Sequence, residues 1–348
     1  MRLLYGVQGT GNGHITRARL MANALARRGA RVDFIFSGRP PGEYFDMAPF
    51  GDYQTREGLT FVTRRGRIRP LGTLRRCRPG QLLRDIRELR VLDYDLVIND
   101  FEPISAWAAR NAGVPCLALS HQASFLHPVP RAGGGWLADI LLHRFAPADY
   151  HLGLHWHHFD QPLLPPLVEP HPPAGRADEH QILVYLPFEC PSAITRLLAP
   201  FGHYRFVSFH PRAEPGRKGT LEWYSPSRQA FRDCLQHSAG VIANSGFELP
   251  SEALSLGRKL LVKPVQGQFE QASNALALQR LGLARVMPQL DREAVAGWLA
   301  APAAMPVAYP EIAPRVADWV LAGRWEQRQA LCQSLWAEVR FPPGLGLS

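Results

Sequence analysis

This 348-residue sequence has few cysteines and no pattern that would pair them. Cys77, Cys116, Cys190, Cys234 and Cys332 are odd in number, widely scattered and contain no Cys-x-x-Cys. That argues against a disulfide framework or a zinc ribbon and suits a reducing compartment, where thiols act as small apolar groups. No apolar run approaches the roughly 18 residues of a membrane span. The opening MRLLYGVQGTGNG breaks into glycines too soon for a secretory signal. There is no Gly-Lys-Ser/Thr, so a Walker A phosphate loop is absent. Internal repeats and low-complexity tracts are missing as well. The chain does have a globular composition, with 46% hydrophobic and 20% charged residues. Its length predicts about two domains.

The formal charge of +9 points to an anionic partner: nucleic acid, a phosphorylated substrate or acidic lipid. Residues 64–90 hold ten arginines against Asp85 and Glu88. One reading is a solvated loop leading into an amphipathic helix. The other is a patch, Arg64–Arg90, that faces phosphate or an anionic membrane surface. The stretch has no aromatic side chains to stack bases, which speaks against nucleic acid.

The first half alternates strands and helices. Arg2–Gln8 reads as a strand, Gly9–Gly13 as a turn, and Ile15–Arg28 as a helix with Ile15, Ala18, Met21, Ala22 and Leu25 on one face. Val32–Phe36, Tyr94–Asn99 and Val114–Leu119 read as further strands, with a helix opened by Pro103 and closed by Gly113. Six prolines fall within residues 161–173, the composition of a semi-rigid linker. Alternation then resumes, with strands at Ile182–Leu186, Tyr204–Phe209, Gly240–Ala243 and Lys259–Val262. Helices are expected at Ser227–Gln236, at Glu248–Leu256, and from Phe269 and Asp291. The expected fold is α/β, with two doubly wound Rossmann-like domains whose parallel sheets face across a cleft. The expected boundaries are 1–160, a proline-rich linker at 161–180, a second domain at 181–324, and a C-terminal helix in 325–348 crossing back to the first domain.

The turn Gly9-Thr10-Gly11-Asn12-Gly13-His14 joins the first strand to the first helix. Gly11 and Gly13 let backbone approach a ligand, and free amides at the helix start attract anions. A dinucleotide fingerprint needs G-x-G-x-x-G and an acid after the second strand, whereas Ser37-Gly38-Arg39 stands there. His14 is placed to accept a proton from a hydroxyl, or else to cap the helix. Arg17, one turn on, is expected to face a phosphate or to be solvated. The run Asp95–Pro103 puts Asp100 and Glu102 at a strand's carboxyl edge, where ligands gather in open sheets. Either carboxylate can hold the tautomer of His14, and either can instead cap the following helix.

The most informative stretch is Asn244-Ser245-Gly246-Phe247-Glu248-Leu249-Pro250-Ser251-Glu252-Ala253-Leu254-Ser255-Leu256-Gly257. A strand breaks at Ser245-Gly246 into a helix whose free amides suit a diphosphate. Leu249, Ala253 and Leu256 are expected on its buried face. Glu252 is either solvent-facing or a bidentate acceptor for two ribose hydroxyls. The later run Gly267-Gln268-Phe269-Glu270-Gln271-Ala272-Ser273-Asn274-Ala275 concentrates hydrogen-bonding side chains suited to a polyol. His151, His155, His157 and His158, with His143 and Asp160 nearby, invite a metal reading. The interleaved Leu152, Leu154, Trp156 and Phe159 favour a domain-edge strand instead, and no metal site is expected.

SGFELPSEALSLG and GQFEQASNA, together with GTGNGH near the start, resemble the GT-B glycosyltransferases. The nearest groups are the enzyme that adds N-acetylglucosamine to lipid-linked muramyl-pentapeptide, the UDP-glucuronosyltransferases, and a prokaryotic family containing Asp-Phe-Glu-Pro and Gly-Gln-Phe-Glu-Gln. The resemblance runs from the first residues to about Gly282. It implies a cytoplasmic transferase, peripheral on the inner membrane face if its acceptor is lipid-linked. The donor it implies is a nucleotide-diphosphate sugar, a UDP-sugar, with inversion and without metal or cofactor. Ser245, Gly246 and Phe247 would hold the diphosphate, Glu252 the ribose, and Glu270 and Gln271 the transferred sugar. His14 would be the base and Asp100 its partner, with Gly11, Gly13, Arg17 and Glu102 on the acceptor or phosphate side. The rival functions are a GT-B-fold sugar-nucleotide epimerase, which needs additional acids, and a non-enzymatic nucleic-acid-binding protein.

Overall fold

The computed structural model describes residues 1–58, 63–64, 67–68, 78–170 and 177–345. Most of the arginine patch lies outside the described residues, and with it the expected membrane-facing role of Arg64–Arg90. Its described end is the expected amphipathic helix, Pro79–Glu88, which buries Asp85 and Ile86.

Two parallel sheets organise the chain. The first holds β1 (Arg2–Gln8), β2 (Arg31–Ser37), β3 (Gln54–Arg56), β6 (Leu96–Asp100), β7 (Cys116–Ser120) and β8 (Tyr150–Gly153). Its order is β3-β2-β1-β6-β7-β8, and every neighbouring pair is parallel. A separate short ladder pairs β4 (Thr63–Arg64) with β5 (Arg67–Ile68). β6 and β7 are buried at every residue, which is why they read as unbroken apolar runs.

The second sheet holds β9 (Asp178–Tyr185), β10 (Arg205–Phe209), β11 (Gly216–Lys218), β12 (Leu221–Tyr224), β13 (Ser238–Asn244), β14 (Lys259–Lys263) and β15 (Arg285–Val286). Its order is β11-β12-β10-β9-β13-β14-β15, parallel except for the β11–β12 edge hairpin. Helices cover both sheets, as the alternation predicts.

Three features depart from the sequence reading. The first part of the proline-rich segment is not a spacer: Leu163 and Leu164 are fully buried, and Leu164 accepts from His155 N and donates to Gly153 O. The return to the first half begins before Trp325. The helix Ile312–Leu321 already packs on the first helix, Asn12–Ala26, where Arg28 Nη2 lies 2.7 Å from Asp318. The last helix, Arg328–Trp336, then anchors on the first half through Arg328 to His151 O at 2.8 Å and Trp336 to Leu163 O at 2.7 Å. Leu249 is only partly buried, while Pro250, Ser251, Ala253 and Leu254 form the covered face of their helix.

One hydrophobic core cluster runs through both halves, from Leu3 and Trp156 to Leu183 and Val316. Trp156 is fully buried and donates from Nε1 to Ser251 Oγ at 2.9 Å, tying β8's flank to the helix Glu248–Ser255. Gly153 closes this region, because an added Cβ would stand 2.6 Å from Ser124 N. Gly153→Ala should therefore lower stability by about 1–3 kcal/mol, the usual cost of overpacking. Chemical denaturation monitored by tryptophan fluorescence checks this, and an unchanged midpoint would contradict the packing described.

Candidate active site

The chain leaves β1 toward β2 and returns on the other side of β1 at β6; it leaves β9 toward β10 and returns at β13. At such reversals the connections diverge and leave a crevice at the strands' carboxyl ends, the usual binding place in open α/β sheets. The Gly9–Gly13 turn and Asp100 end β1 and β6. Ser245–Phe247 follows β13.

His14 lies in the first turn of the helix Asn12–Ala26, with its Nδ1 2.8 Å from Asp100 Oδ1. Donation from Nδ1 to the carboxylate puts the ring's lone pair on Nε2, the tautomer a general base needs. Burial opposes the imidazolium, but the charge and hydrogen bond of Asp100 outweigh it and raise the pKa of His14. Asp100 is fully buried, and Arg17 and His14 keep its carboxyl below the usual range against the opposite push of burial.

Arg17 occupies a place the sequence does not suggest. It is 1% exposed, so it faces neither solvent nor an open phosphate site. Its Nε donates to Asp100 Oδ2 at 2.8 Å and its Nη2 to Asp100 Oδ1 at 2.8 Å. Its Nη1 pairs with Glu248 of the second half. Glu248 also lies against Gly13, where any side chain would collide with its carboxylate.

Glu102 belongs to the scaffold and not to the acceptor or phosphate side. It is fully buried and caps the helix Pro103–Ala112, accepting from Ile104 N at 2.9 Å and Ser105 N at 2.7 Å. Ser37 Oγ and Ser105 Oγ complete its shell, both at 2.6 Å. Phe101 between the two acids has φ 55°, a left-handed conformation that costs about 1–2 kcal/mol. Asn99 clamps that turn, donating to Glu102 O at 2.7 Å and accepting from Glu102 N at 3.1 Å. The reversal sends one carboxylate to His14 and the other into the helix cap.

On the opposite wall, Ser245 is buried and its Oγ donates to Gln271 O at 2.7 Å. Among the described residues the helix Glu248–Ser255 has no side-chain cap at its start and, chain neighbours apart, no atom lies within 4 Å of where a Gly246 side chain would stand. Backbone amides next to open space suit an anion. Phe247 contributes backbone only: its ring is 3% exposed, stacked on His121 at 4.0 Å and 4.7 Å from Trp156.

Glu252 is half-buried. Burial, with Glu169 and Glu248 adding to it, raises its pKa to about 7. Arg228 and Arg232 relieve this only partly, since both pair with Glu169, at 3.1 and 2.9 Å. A half-buried carboxylate of this kind can accept hydrogen bonds from hydroxyls. Gln271 is 5% exposed and its Oε1 accepts from Val265 N at 3.0 Å, which shapes the preceding loop. Glu270 reaches across to the first half, accepting from Gln122 Nε2 at 3.0 Å.

His121, Gln122 and Asn274 have no role in the sequence reading. Asn274 Nδ2 donates to Ser245 O at 3.0 Å, and its Oδ1 lies 2.7 Å from His121 Nε2. His121 and Gln122 follow β7 directly, so the carboxyl-edge rule applied to every strand would have flagged them. The other histidines do not converge. His155 accepts from Trp156 N, His157 and His158 stack on each other, and His143 bonds within its own helix. Among the described residues no group of three or more His, Cys, Asp or Glu is arranged to hold a metal ion. Nor is any described helix long and apolar enough to cross a membrane.

Comparison with known proteins fits this geometry. No curated protein sequence matches the chain. Among solved structures, the spinosyn rhamnosyltransferase SpnG complexed with spinosyn aglycone is similar, with TM-score 0.58 and 15% identity over 97% of this chain and 100% of that one. LpCGTa in complex with UDP gives 0.59 and 15% over 97% and 98%. The glycosyltransferase VinC in complex with DTDP gives 0.54 and 16% over 96% of each chain. At such low identity the structural match shows the fold alone, the GT-B architecture. The family follows from a different match: the model for glycosyl transferase family 1 aligns with residues 1–128 and 158–302. The chain belongs to glycosyl transferase family 1, and it is a glycosyltransferase of the GT-B architecture.

Proposed function

We propose that this enzyme transfers a sugar from a nucleotide-diphosphate sugar to an acceptor hydroxyl with inversion, without a metal ion. The observation that carries the reading is the His14–Asp100 pair at one sheet's reversal point, with uncapped helix-start amides at the other's. The acceptor oxygen attacks the anomeric carbon opposite the diphosphate while His14 Nε2 takes its proton. The new carbon–oxygen bond forms as the bond to the diphosphate breaks, and the departing oxyanion meets the Gly246–Glu248 amides. Helix-start amides supply the positive end that a divalent ion supplies elsewhere. A uridine or thymidine diphosphate donor is supported by the nucleotides named in two similar structures. Glu252 accepts the ribose hydroxyls in this reading.

The acceptor is apolar or carries an apolar portion. Trp136 and Ile140 are 70% and 50% exposed on the helix Gly135–Arg144. The loop before that helix touches the donor side, where Arg131 lies over Phe269 and Ala132 N donates to Ser273 Oγ. The start of this exposed helix therefore lies beside the helix Phe269–Arg280. The aglycone complex among the similar structures supports the same class. A lipid-linked acceptor belongs to that class too, and the arginine patch favours it.

His14→Ala should lower kcat by roughly 10²–10⁴-fold while donor affinity changes only a few-fold. Near-normal turnover would remove His14 from the chemistry. Donor affinity and turnover should survive EDTA; loss restored by Mg²⁺ or Mn²⁺ would overturn the metal-free reading. Glu252→Ala should weaken UDP or TDP roughly ten- to a hundredfold in calorimetric titration, since the ribose loses a charged partner. Equal affinity would overturn the ribose assignment.

Glu252 also predicts a pH effect. Its raised pKa means that the folded state favours the protonated acid. That stabilisation is complete below the ordinary carboxylate range and is lost as pH rises through about 7. Glu252→Gln cannot ionise, so its stability relative to wild type should improve between pH 5 and pH 8. Urea midpoints at the two pH values test this, and a constant difference would contradict it.

A further inference from the structure

We propose that Glu248, contributed by the second half, is a positioning residue for His14: by holding the Nη1 edge of Arg17 it keeps the guanidinium seated on Asp100 and so favours the base-competent tautomer. The proposal rests on reading His14 as the base. Three charged groups meet at His14. Asp100 approaches from β6, Arg17 from the same helix as His14, and Glu248 from the start of the helix Glu248–Ser255. Tyr5 from β1 is buried beside them, with a hydroxyl that has no hydrogen-bond partner among the described residues.

Two of these groups compete for one nitrogen. Asp100 Oδ1 lies 2.8 Å from His14 Nδ1, and Arg17 Nη2 lies 3.2 Å from the same atom. A proton on Nδ1 satisfies Asp100 and leaves Nε2 able to accept. A lone pair on Nδ1 accepts from Arg17, puts the proton on Nε2, and removes the base. Arg17 is held on Asp100 by Nε and Nη2, and its remaining edge, Nη1, is held by Glu248. Without Glu248 the Nη1 edge of the guanidinium loses its partner, and Asp100 is left as its counter-charge.

Charge points the same way. Asp100, Arg17 and Glu248 together sum to minus one around His14, which favours the imidazolium that forms on proton abstraction. Removing Glu248 leaves Asp100 and Arg17 cancelling each other. Glu248 joins the group only where the two halves meet, so base activation depends on their contact. Gly13 allows that contact, because a side chain there would displace Glu248.

The test is NMR titration of His14 in the full-length, ligand-free protein, with ¹⁵N shifts reporting the tautomer. In Glu248→Gln, which keeps the side chain's shape, the His14 pKa should fall by about 1 unit and Nε2 should gain proton occupancy. Glu248→Asp keeps the charge at shorter reach and should fall between that variant and wild type. The same pKa and tautomer in all three proteins would overturn the proposal. Failure of the base reading is separable from this: His14→Ala would then retain turnover whatever Glu248 does to the titration.

Discussion

A guanidinium buried between two carboxylates holds the active region together. Arg17 is 1% exposed, and a charge so placed requires paired and hydrogen-bonded surroundings. Asp100 supplies two acceptors from the first sheet, and Glu248 supplies another from the second half. Removing one partner of such a pair typically costs about 3–5 kcal/mol, because the other charge is left buried alone. The arrangement ties the orientation of Asp100, and through it the ring of His14, to the docking of the two halves. Folding and chemistry meet in one side chain.

The halves are not held by that pair alone, and the other links follow the same logic. Trp156 puts an indole N–H onto Ser251 inside the shared apolar core. Phe247 stacks on His121, and Asn274 connects His121 to the backbone of Ser245. The last two links end on the Ser245–Glu248 turn, and the first ends on the helix that continues from it. The turn is thereby fixed from the first half, and its amides are placed before any ligand arrives. Preorganised dipoles act most strongly where they need not rearrange during reaction.

Much of the fold is legible in the sequence because buried parallel strands leave an unmistakable trace. Leu96–Asp100 and Ser238–Asn244 are apolar runs of strand length, and the periodic face Ile15, Ala18, Met21, Ala22, Leu25 is the one buried. The helix Pro191–Leu198, the β11–β12 hairpin and the early return at Ile312–Leu321 are absent from that reading, being short or stabilised by distant partners. The site is legible as a set of addresses more than as a set of roles. Asp100 and Glu102 stand two residues apart with the same chemistry, and only the left-handed turn at Phe101 assigns one to His14 and the other to a cap. Arg17 reads as a phosphate contact until its partner 231 residues away is seen. Gln271 and Phe247 sit in the expected segments, yet they turn inward because the loops they stabilise must themselves be held.

The glycine turn shows why a motif can indicate the right place for a mixed set of reasons. Free backbone near an anion is one use of glycine, and close packing is another. A side chain at Gly9 would collide with the ring of Tyr44, and one at Gly13 with Glu248. Both positions are therefore explained by neighbours within the protein. Gly11 differs: the nearest atom to an added Cβ there is His14 Cδ2 at 4.0 Å, and no side chain caps the helix that comes after it. Of the three glycines, Gly11 has the space that a ligand requires, and it lies beside the imidazole of His14. The turn thus combines two packing constraints with one open approach, and the open approach is beside His14.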